Sequence, residues 1–207
     1  AAVLETRTVW PVVVLDSHGR AYTVDAADVP TGRGDGVPVT SLIDVQEQAQ
    51  VCHMLAAPED ARFVVAGSGG YGFVVEMKDM VSRVKAGKAF LTLEAHETPL
   101  APVPVTVAAL AAGQLVAISQ QARALVFPAS ELKALAKGRG LMLMQLDDGD
   151  TLETLAVVEG SAARICGTLR TGREDSFRLE FADYVGKRAK KGKLLPKRWV
   201  ITAVEAV

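Results

Sequence analysis

The sequence predicts an all-β fold made of four copies of one unit, arranged like the blades of a propeller. Three observations support this prediction: short apolar stretches recur at regular spacing, glycine-containing turns separate them, and long amphipathic helices are absent. Short strands with regular turn signals are typical of sandwiches, barrels and propellers. A four-strand unit repeated near 50 residues favours the propeller. Parallel βαβ units need crossover helices of about a dozen residues, and the candidate stretches at 77–84 and 129–135 are shorter.

A glycine at the same point of each copy defines the repeat. These glycines are spaced by 51, 53 and 52 residues and are Gly36, Gly87, Gly140 and Gly192. An earlier turn keeps step, since Gly19 and Gly70 are again 51 residues apart. We therefore predict a single domain over residues 1–207, with repeats at approximately 12–61, 62–113, 114–162 and 163–207.

Each copy contains apolar stretches that predict four short strands. In the first copy, residues 12–15 and 20–24 flank Asp16-Ser17-His18-Gly19, a tight hairpin turn in which glycine can adopt positive φ. Its remaining strands are predicted at 37–43 and 51–56. The matching strands of the next two copies are predicted at 63–66, 72–76, 89–93 and 103–107, then at 115–118, 123–127, 141–146 and 152–158.

The first residues match the end of a unit. A shift of 51 residues places Val3-Leu4 on Met54-Leu55, the end of a fourth strand. The chain also begins without an initiator Met or a secretory signal. We expect an excised fragment that opens with the last strand of an upstream blade.

Composition indicates a globular protein. Of the 207 residues, 49% are hydrophobic, which is enough to bury a core. The longest weakly polar run, 100–112, is too short to span a bilayer and contains prolines. Cys52 and Cys166 lie far apart without metal-ligand spacing, which favours a reducing cytoplasm. We expect a cytoplasmic protein without a membrane segment.

Basic residues are concentrated around three of the four glycine loops, although the net charge of the chain is only -1. Residues 78–88 carry a net +3, residues 133–139 a net +3, and residues 187–198 a net +7. The first loop differs, because residues 25–36 carry a net -2. The repeat should bring equivalent loops to one rim, so we expect a basic band that ends on the fourth copy.

Such a band fits the phosphates of double-stranded DNA, which lysine and arginine bind without reading sequence. The glycines would let the main chain approach the phosphates and supply amide donors. Single-stranded binding would need exposed aromatic platforms, whereas Tyr22, Phe73 and Phe127 are expected in the core. The predicted DNA-binding residues are Arg83, Lys85, Lys88, Lys133, Lys137, Arg139, Lys187, Arg188, Lys190, Lys191, Lys193, Lys197 and Arg198.

Motifs with catalytic chemistry do not stand out. Asp16-Ser17-His18 contains the residue types of a hydrolase triad, but neighbours in a hairpin turn cannot converge on one substrate atom. Residues 147–150 are too few for a calcium loop, and the histidines lack ligand spacing. Arg33-Gly34-Asp35 is interpreted as part of the first loop. We predict no catalytic residue, no metal site and no cofactor in this fragment.

Several segments together resemble a known family. They include Ala66-Gly67-Ser68-Gly69-Gly70-Tyr71-Gly72-Phe73 followed by Arg83-Val84-Lys85-Ala86-Gly87-Lys88-Ala89. They also include Thr31-Gly32-Arg33-Gly34-Asp35-Gly36, and Phe127-Pro128 followed by Lys137-Gly138-Arg139-Gly140. In these motifs and in their order, nearly the whole chain resembles the C-terminal region of the A subunit of bacterial DNA topoisomerase IV.

The resemblance implies a β-pinwheel, whose blades exchange strands and whose basic edge binds and bends duplex DNA. It also implies an accessory role in an ATP-dependent type II topoisomerase, with the catalytic tyrosine outside this chain. The parent protein would form a homodimer and would pair with the B subunit, which is the ATPase of the enzyme. It would act at the bacterial nucleoid. Within the family, the basic loop positions that match are Lys85, Lys88, Lys137, Arg139, Lys190, Lys191 and Lys193.

Two alternatives stay open. The C-terminal domain of gyrase A, which wraps DNA, carries the stretch Gln-Arg-Arg-Gly-Gly-Lys-Gly. This chain has only the degenerate residues 187–193 at that place, which favours topoisomerase IV and argues against strong wrapping. The other alternative is a protein-interaction β-propeller whose basic rim has no role on DNA.

Overall fold

The computed structural model describes residues 4–29, 36–169, 171–197 and 199–207. Within these residues the chain forms fifteen β-strands and three short α-helices. The strands are β1 (Pro11–Asp16), β2 (Arg20–Asp25), β3 (Val51–Ala56), β4 (Arg62–Ala66), β5 (Tyr71–Glu76), β6 (Lys88–Ala89), β7 (Val103–Val105), β8 (Gln114–Ser119), β9 (Arg123–Pro128), β10 (Leu141–Met142), β11 (Leu152–Val158), β12 (Ala162–Thr168), β13 (Glu174–Glu180), β14 (Lys193–Leu194) and β15 (Val200–Ala206). The helices are α1 (Met77–Met80), α2 (Val107–Ala112) and α3 (Phe181–Tyr184). The predicted all-β class is confirmed.

The described strands form four antiparallel sheets, one for each repeat. Three of them have four strands, in the orders β3-β1-β2-β6, β10-β5-β4-β7 and β11-β8-β9-β14. The fourth has three strands in the order β13-β12-β15. We call these sheets blades 1 to 4. Each blade is built on a hairpin of its own repeat, and these hairpins lie close to their predicted positions.

The strand after each of the last three repeat glycines belongs to the preceding blade. β6 of the second repeat pairs with β2 of blade 1, β10 pairs with β5 of blade 2, and β14 pairs with β9 of blade 3. Strand exchange between neighbouring blades, the mark of a pinwheel, is therefore confirmed. Each donated strand is only two residues long, so the longer strands predicted at 89–93 and 141–146 are wrong.

The predicted strand at 37–43 is also absent. Residues 39–41 form a 3-10 turn instead, after Pro38. Proline lacks the N–H that a paired strand donates, and the described residues provide no blade before the first one to receive this segment. The predicted upstream strand stays a prediction, because Val3 lies outside the described residues and residues 4–7 form no strand.

The hydrophobic core is divided among the blades. One cluster joins the inward residues of β1, such as Val13 and Leu15, to Phe63 and Phe73 of blade 2. Equivalent clusters lie between blades 2 and 3 and between blades 3 and 4. Because alternate residues of a strand face opposite sides, each central strand packs on both sides. Of the three aromatic residues predicted for the core, all are fully buried: Tyr22, Phe73 and Phe127.

Blades 1, 2 and 3 each accept a donated strand. In each of them, one main-chain carbonyl of the hairpin turn accepts a hydrogen bond from the incoming segment. Gly19 and Gly70 have φ of +76° and +85°, and the third turn places Ala122 at +60°. Their carbonyls accept 2.8 Å hydrogen bonds from the main-chain N–H of Leu91, Leu143 and Leu195 respectively. The left-handed turn residue therefore aims its carbonyl at the next repeat.

Ala122→Gly is expected to leave the free energy of unfolding nearly unchanged. Left-handed backbone costs a residue with a Cβ about 1 kcal/mol. Relief of that cost is offset by loss of the buried methyl group, about 0.8 kcal/mol, and by the greater freedom of glycine in the unfolded chain. Chemical denaturation measures the change. Ala124→Gly is the control, since glycine in the extended strand β9 should lower stability by about 1 kcal/mol. Destabilisation by both substitutions would contradict the argument.

Candidate nucleic-acid interface

The candidate interface is built from the segments that carry the donated strands. We call them loop 1 (residues 36–44), loop 2 (residues 81–92), loop 3 (residues 133–145) and loop 4 (residues 185–195). The part of the first glycine loop at 31–35, which includes Arg33, lies outside the described residues. Loops 2, 3 and 4 each cross from their own repeat onto the preceding blade.

The repeat glycines allow this crossing. Gly87, Gly140 and Gly192 have φ of +62°, +82° and +71°, a region that L-residues rarely adopt. A Cβ on any of them would press into the second hairpin strand of the preceding blade, against the main chain of Ala21, Gly72 or Ala124. From the sequence, we expected these glycines to let the main chain approach DNA phosphates. In the structure they let the main chain approach the preceding blade instead, so the explanation of these glycines needs correction.

Main-chain hydrogen bonds join the loops to one another. The carbonyl two residues before each repeat glycine accepts a bond from the previous loop. The three bonds run from Asp44 N–H to Lys85 O at 3.0 Å, from Thr92 N–H to Gly138 O at 3.0 Å, and from Gln145 N–H to Lys190 O at 3.1 Å. Lys85, Lys137 and Lys190 therefore lie on or beside equivalent points of a continuous belt. Sequence reasoning missed the belt because its donors and acceptors are main-chain groups.

A cationic side chain also fastens loops 2 and 3 at their glycines. Arg20 donates through Nη2 to the carbonyls of Ala86 and Gly87, at 2.8 and 3.0 Å. At the next junction the cation comes from the loop and its partner from the blade. Arg139 of loop 3 lies 4.1 Å above the ring of Tyr71 on β5. Such stacking on an aromatic face stabilises a guanidinium.

Arg139 is further held by two carboxylates. Its Nη1 lies 2.5 Å from Glu94 and its Nη2 lies 2.9 Å from Glu97. The side chain of Glu97 is only 8% exposed and that of Arg139 is 33% exposed, so the carboxylate is buried beneath a half-buried guanidinium. Arg139 was predicted as a DNA contact, and the structure places it in a neutralised anchor of loop 3. The assignment of Arg139 to DNA stays a prediction that this pairing weakens.

Seven predicted residues keep unpaired side chains within the described part of the chain. They form no ion pair or side-chain hydrogen bond there and are Arg83, Lys85, Lys88, Lys133, Lys137, Lys187 and Lys190. All are exposed except the half-buried Lys88. The set includes residues of loops 2, 3 and 4, so these cations are spread along the belt.

The other predicted cations have protein partners. Lys191 pairs with Asp147, Lys197 pairs with Asp175 at 3.0 Å, and Lys193 donates to the carbonyl of Asp183. Arg188 donates to the carbonyl of Met142 at 2.6 Å and lies 3.6 Å from Glu131. Arg198 lies outside the described residues. Residues 187–198 have the largest net charge in the sequence, and part of that charge is neutralised by these pairs.

These ion pairs lower the pKa of their carboxylates. The hydrogen bond from Lys191 holds the pKa of Asp147 below its usual range, and Lys197 does the same for Asp175. A lowered carboxyl pKa means that the ionised pair stabilises the fold above the unfolded pKa and that this contribution is lost as pH falls through the folded pKa. Both pairs are therefore intact at neutral pH.

Asp147→Asn is expected to raise duplex affinity about 5-fold at low salt, because it releases Lys191, and also Arg123 at 3.4 Å from the same carboxylate, for contact with phosphates. The log-log salt slope should steepen by about 0.9. Fluorescence anisotropy with a labelled duplex measures both. Asp148→Asn is the matched control, since Asp148 is exposed, carries the same charge and has no ion pair in the described residues. Equal gains from the two variants would argue for a general charge effect and against release of Lys191.

The hairpin turn with triad-like residue types is structural. The buried carboxylate of Asp16 accepts hydrogen bonds from the main-chain N–H groups of His18 and Arg20 and from the hydroxyl of Tyr22. Its oxygens thus close the turn. In the described residues we find no cluster of three or more His, Cys, Asp or Glu side chains suited to a metal ion. The described part of the chain also has no helix with the length and apolar character needed to cross a bilayer.

Comparison with known proteins assigns the family. A family model described as "DNA gyrase C-terminal domain, beta-propeller" matches residues 113–159. The solved structure of the Escherichia coli ParC C-terminal domain superposes with a TM-score of 0.87 and 32% identity, over 99% of this chain and 84% of that chain. The chain belongs to the family of C-terminal domains from the A subunit of topoisomerase IV.

Curated relatives in this family are longer proteins. The chain is 43% identical over 181 residues to the A subunit of DNA topoisomerase 4 from Neisseria gonorrhoeae, and the match covers 86% of this chain and 24% of the relative. It is 36% identical over 149 residues to the E. coli K12 protein of the same name, covering 72% and 19% respectively. The chain thus spans about a quarter of the length of these relatives or less. It matches their C-terminal domain, as the sequence predicted.

The pinwheel fold extends to gyrase. A gyrase A C-terminal domain structure superposes with a TM-score of 0.71 over 98% of this chain and 67% of that chain, at 16% identity. This likeness is one of fold. The β-pinwheel predicted from the family resemblance is confirmed.

Proposed function

We propose that this C-terminal domain is a non-catalytic module that binds and bends duplex DNA with little regard to sequence. The observation that supports the proposal is the belt of loops 2, 3 and 4, along which Lys85, Lys137 and Lys190 are unpaired in the described residues, at or beside equivalent points. Lysines without protein partners are available to bind DNA phosphates, and this binding releases the counterions condensed on the DNA. Because rigid main-chain bonds space these side chains, they match a regular polyanion better than a flexible acidic segment.

Duplex DNA fits this surface better than a single strand. Sequence-tolerant binding of single strands uses exposed aromatic side chains on which bases stack. The repeat-equivalent aromatic residues Tyr22, Phe73 and Phe127 are fully buried. Binding through phosphates alone carries no sequence readout, so we propose contacts to the DNA backbone.

The wider role proposed for the domain follows from its relatives. The longer proteins are named as A subunits of DNA topoisomerase 4, and we propose that this domain steers duplex segments into such a type II topoisomerase during relaxation and decatenation. A homodimer of the parent protein, its pairing with the ATPase of the enzyme and a place at the bacterial nucleoid belong to the same proposal. Loop 4 lacks the glycine-rich stretch of gyrase, and several of its cations are paired, which supports bending over strong wrapping.

The test is a titration of labelled duplexes of unrelated sequence at increasing salt. With six or more phosphate contacts, affinity should fall about 1000-fold between roughly 50 and 200 mM salt. Different sequences should give similar dissociation constants at each salt concentration. Absence of duplex binding at low salt would reject the proposal and favour a protein-interaction propeller.

A further inference from the structure

A groove lies between the hairpin turn of blade 1 and loops 2 and 3. Its volume is about 530 Å³, and its walls include His18 and Arg20 from the hairpin and Lys137 from loop 3. Residues 89–93, at the end of loop 2 and just beyond it, also line the groove. Three elements that are distant in sequence therefore meet around one concave surface.

The groove is lined by cationic and neutral groups. Lys137 is exposed and unpaired in the described residues, and His18 is exposed. The guanidinium of Arg20 is fixed by its bonds to the loop 2 carbonyls of Ala86 and Gly87. Since these bonds hold the cation before any ligand arrives, little side-chain entropy is lost on binding.

A further lysine adjoins the groove. Burial lowers the pKa of Lys88, and the positive charge of Lys137 adds to this effect, while Asp79 opposes it. Two lysines from successive loops are therefore close enough to influence each other. Like charges held together in this way are stabilised by a bound anion.

Carboxylates do not neutralise the lining. None of the described residues that line the groove is acidic. Asp16 lies beneath the turn, where three donors of the hairpin itself occupy its carboxylate. Several main-chain amides of the lining are used as well, since Phe90, Leu91 and Gly138 donate to carbonyls. The cationic donors left for a ligand are side chains.

The next junction has the opposite character. Gly69 takes the place of His18 there, and a Cβ at Gly69 would clash with the carboxylate of Glu97. Glu97 and Glu94 bind Arg139. The volume that is open and cationic at the first junction is filled by carboxylates at the second.

We propose that the groove between the blade 1 hairpin and loop 3 binds one phosphate group of the DNA backbone, with His18, Arg20 and Lys137 as its ligands. The inference rests on the proposed DNA function and extends it to the hairpin turn of blade 1. Blade 1 already receives the basic loop 2 through β6, whereas the first repeat has no basic glycine loop of its own. In this proposal the first repeat contributes through its hairpin turn instead.

The first test uses inorganic phosphate as the probe. Titration followed by amide NMR should give saturable shifts at Gly19 and Gly138, which flank the groove. The double variant His18→Gln/Lys137→Gln should weaken this binding at least 10-fold. His96→Gln/Lys78→Gln changes the same residue types elsewhere, at an exposed histidine and a lysine paired with Glu76, and should leave it unchanged. Shifts without saturation, or equal effects of the two variants, would overturn the assignment.

The second test separates the groove from the function. Duplex affinity of the His18→Gln/Lys137→Gln variant should fall about 10-fold at low salt, with a salt slope smaller by about 1. Wild-type duplex binding with no loss in this variant would reject the groove and leave the proposed function intact. Saturable phosphate binding without any duplex binding would reject the function and keep the groove as an anion site.

Discussion

Gly140→Ala is expected to lower the free energy of unfolding by about 3 kcal/mol or more. Gly140 has a φ of +82°, which costs an alanine about 1 kcal/mol. Its new Cβ would also overlap the carbonyl of Gly72 on β5. Main chain inside a packed blade cannot move aside cheaply, and overpacking of this kind costs about 1 to 3 kcal/mol further. Chemical denaturation measures the loss.

Gly149→Ala is the matched control for this prediction. Gly149 has a similar φ of +73°, but its Cβ would meet nothing within 4 Å. Both substitutions restrict the unfolded chain equally, so the control should lose only about 1 kcal/mol. The difference between the variants isolates the contact of loop 3 with blade 2. Equal losses would mean that conformation alone explains the glycine and that the crossing is not tightly packed.

The triple variant Lys85→Gln/Lys137→Gln/Lys190→Gln is expected to weaken duplex binding roughly 100-fold or more at about 0.1 M salt. Each lysine removes about 0.9 from the log-log salt slope, so the slope should fall by about 2.7. The side chains are exposed and make no described ion pair, and the belt bonds near them use main-chain atoms. Stability should therefore change little, and anisotropy titrations over a salt series measure the binding effect.

The control for the triple variant removes the same charge from paired lysines. Lys78, Lys191 and Lys197 bind Glu76, Asp147 and Asp175 respectively. Their joint replacement by Gln should reduce the salt slope by less than the belt variant does, because these lysines already have carboxylate partners. If both triple variants gave the same salt slope, DNA binding would depend on net charge alone, and the prediction that the belt lysines contact DNA would be contradicted.

The sequence was sufficient for the repeat and for the hairpins. Hydrophobic alternation and turn glycines are local signals, so β1, β2 and their counterparts in blades 2 and 3 lie within a residue or two of their predicted bounds. The donated strands were harder to predict. A two-residue strand such as β6 has no pattern of its own, and its existence depends on the edge of the preceding blade.

The charge pattern predicted where cations are concentrated, but it could not tell which of them are paired. Lys191 and Lys190 are neighbours in sequence, yet of the two only Lys191 pairs with an acid among the described residues, Asp147 of a turn in the third repeat. Arg139 counted as one more positive charge, whereas Tyr71, Glu94 and Glu97 hold it in place. Pairing depends on distances between residues that are tens of positions apart.

By itself, the sequence determined four repeats, the all-β class, the position of the repeat glycines and the family resemblance. Tertiary structure decided that these glycines pack against protein, that loops 2 to 4 join in one hydrogen-bonded belt, and that His18 and Arg20 of blade 1 face Lys137 of loop 3. The physical reason is that local conformation is encoded by neighbouring residues, whereas steric contact and charge pairing arise only when strand exchange brings distant segments together.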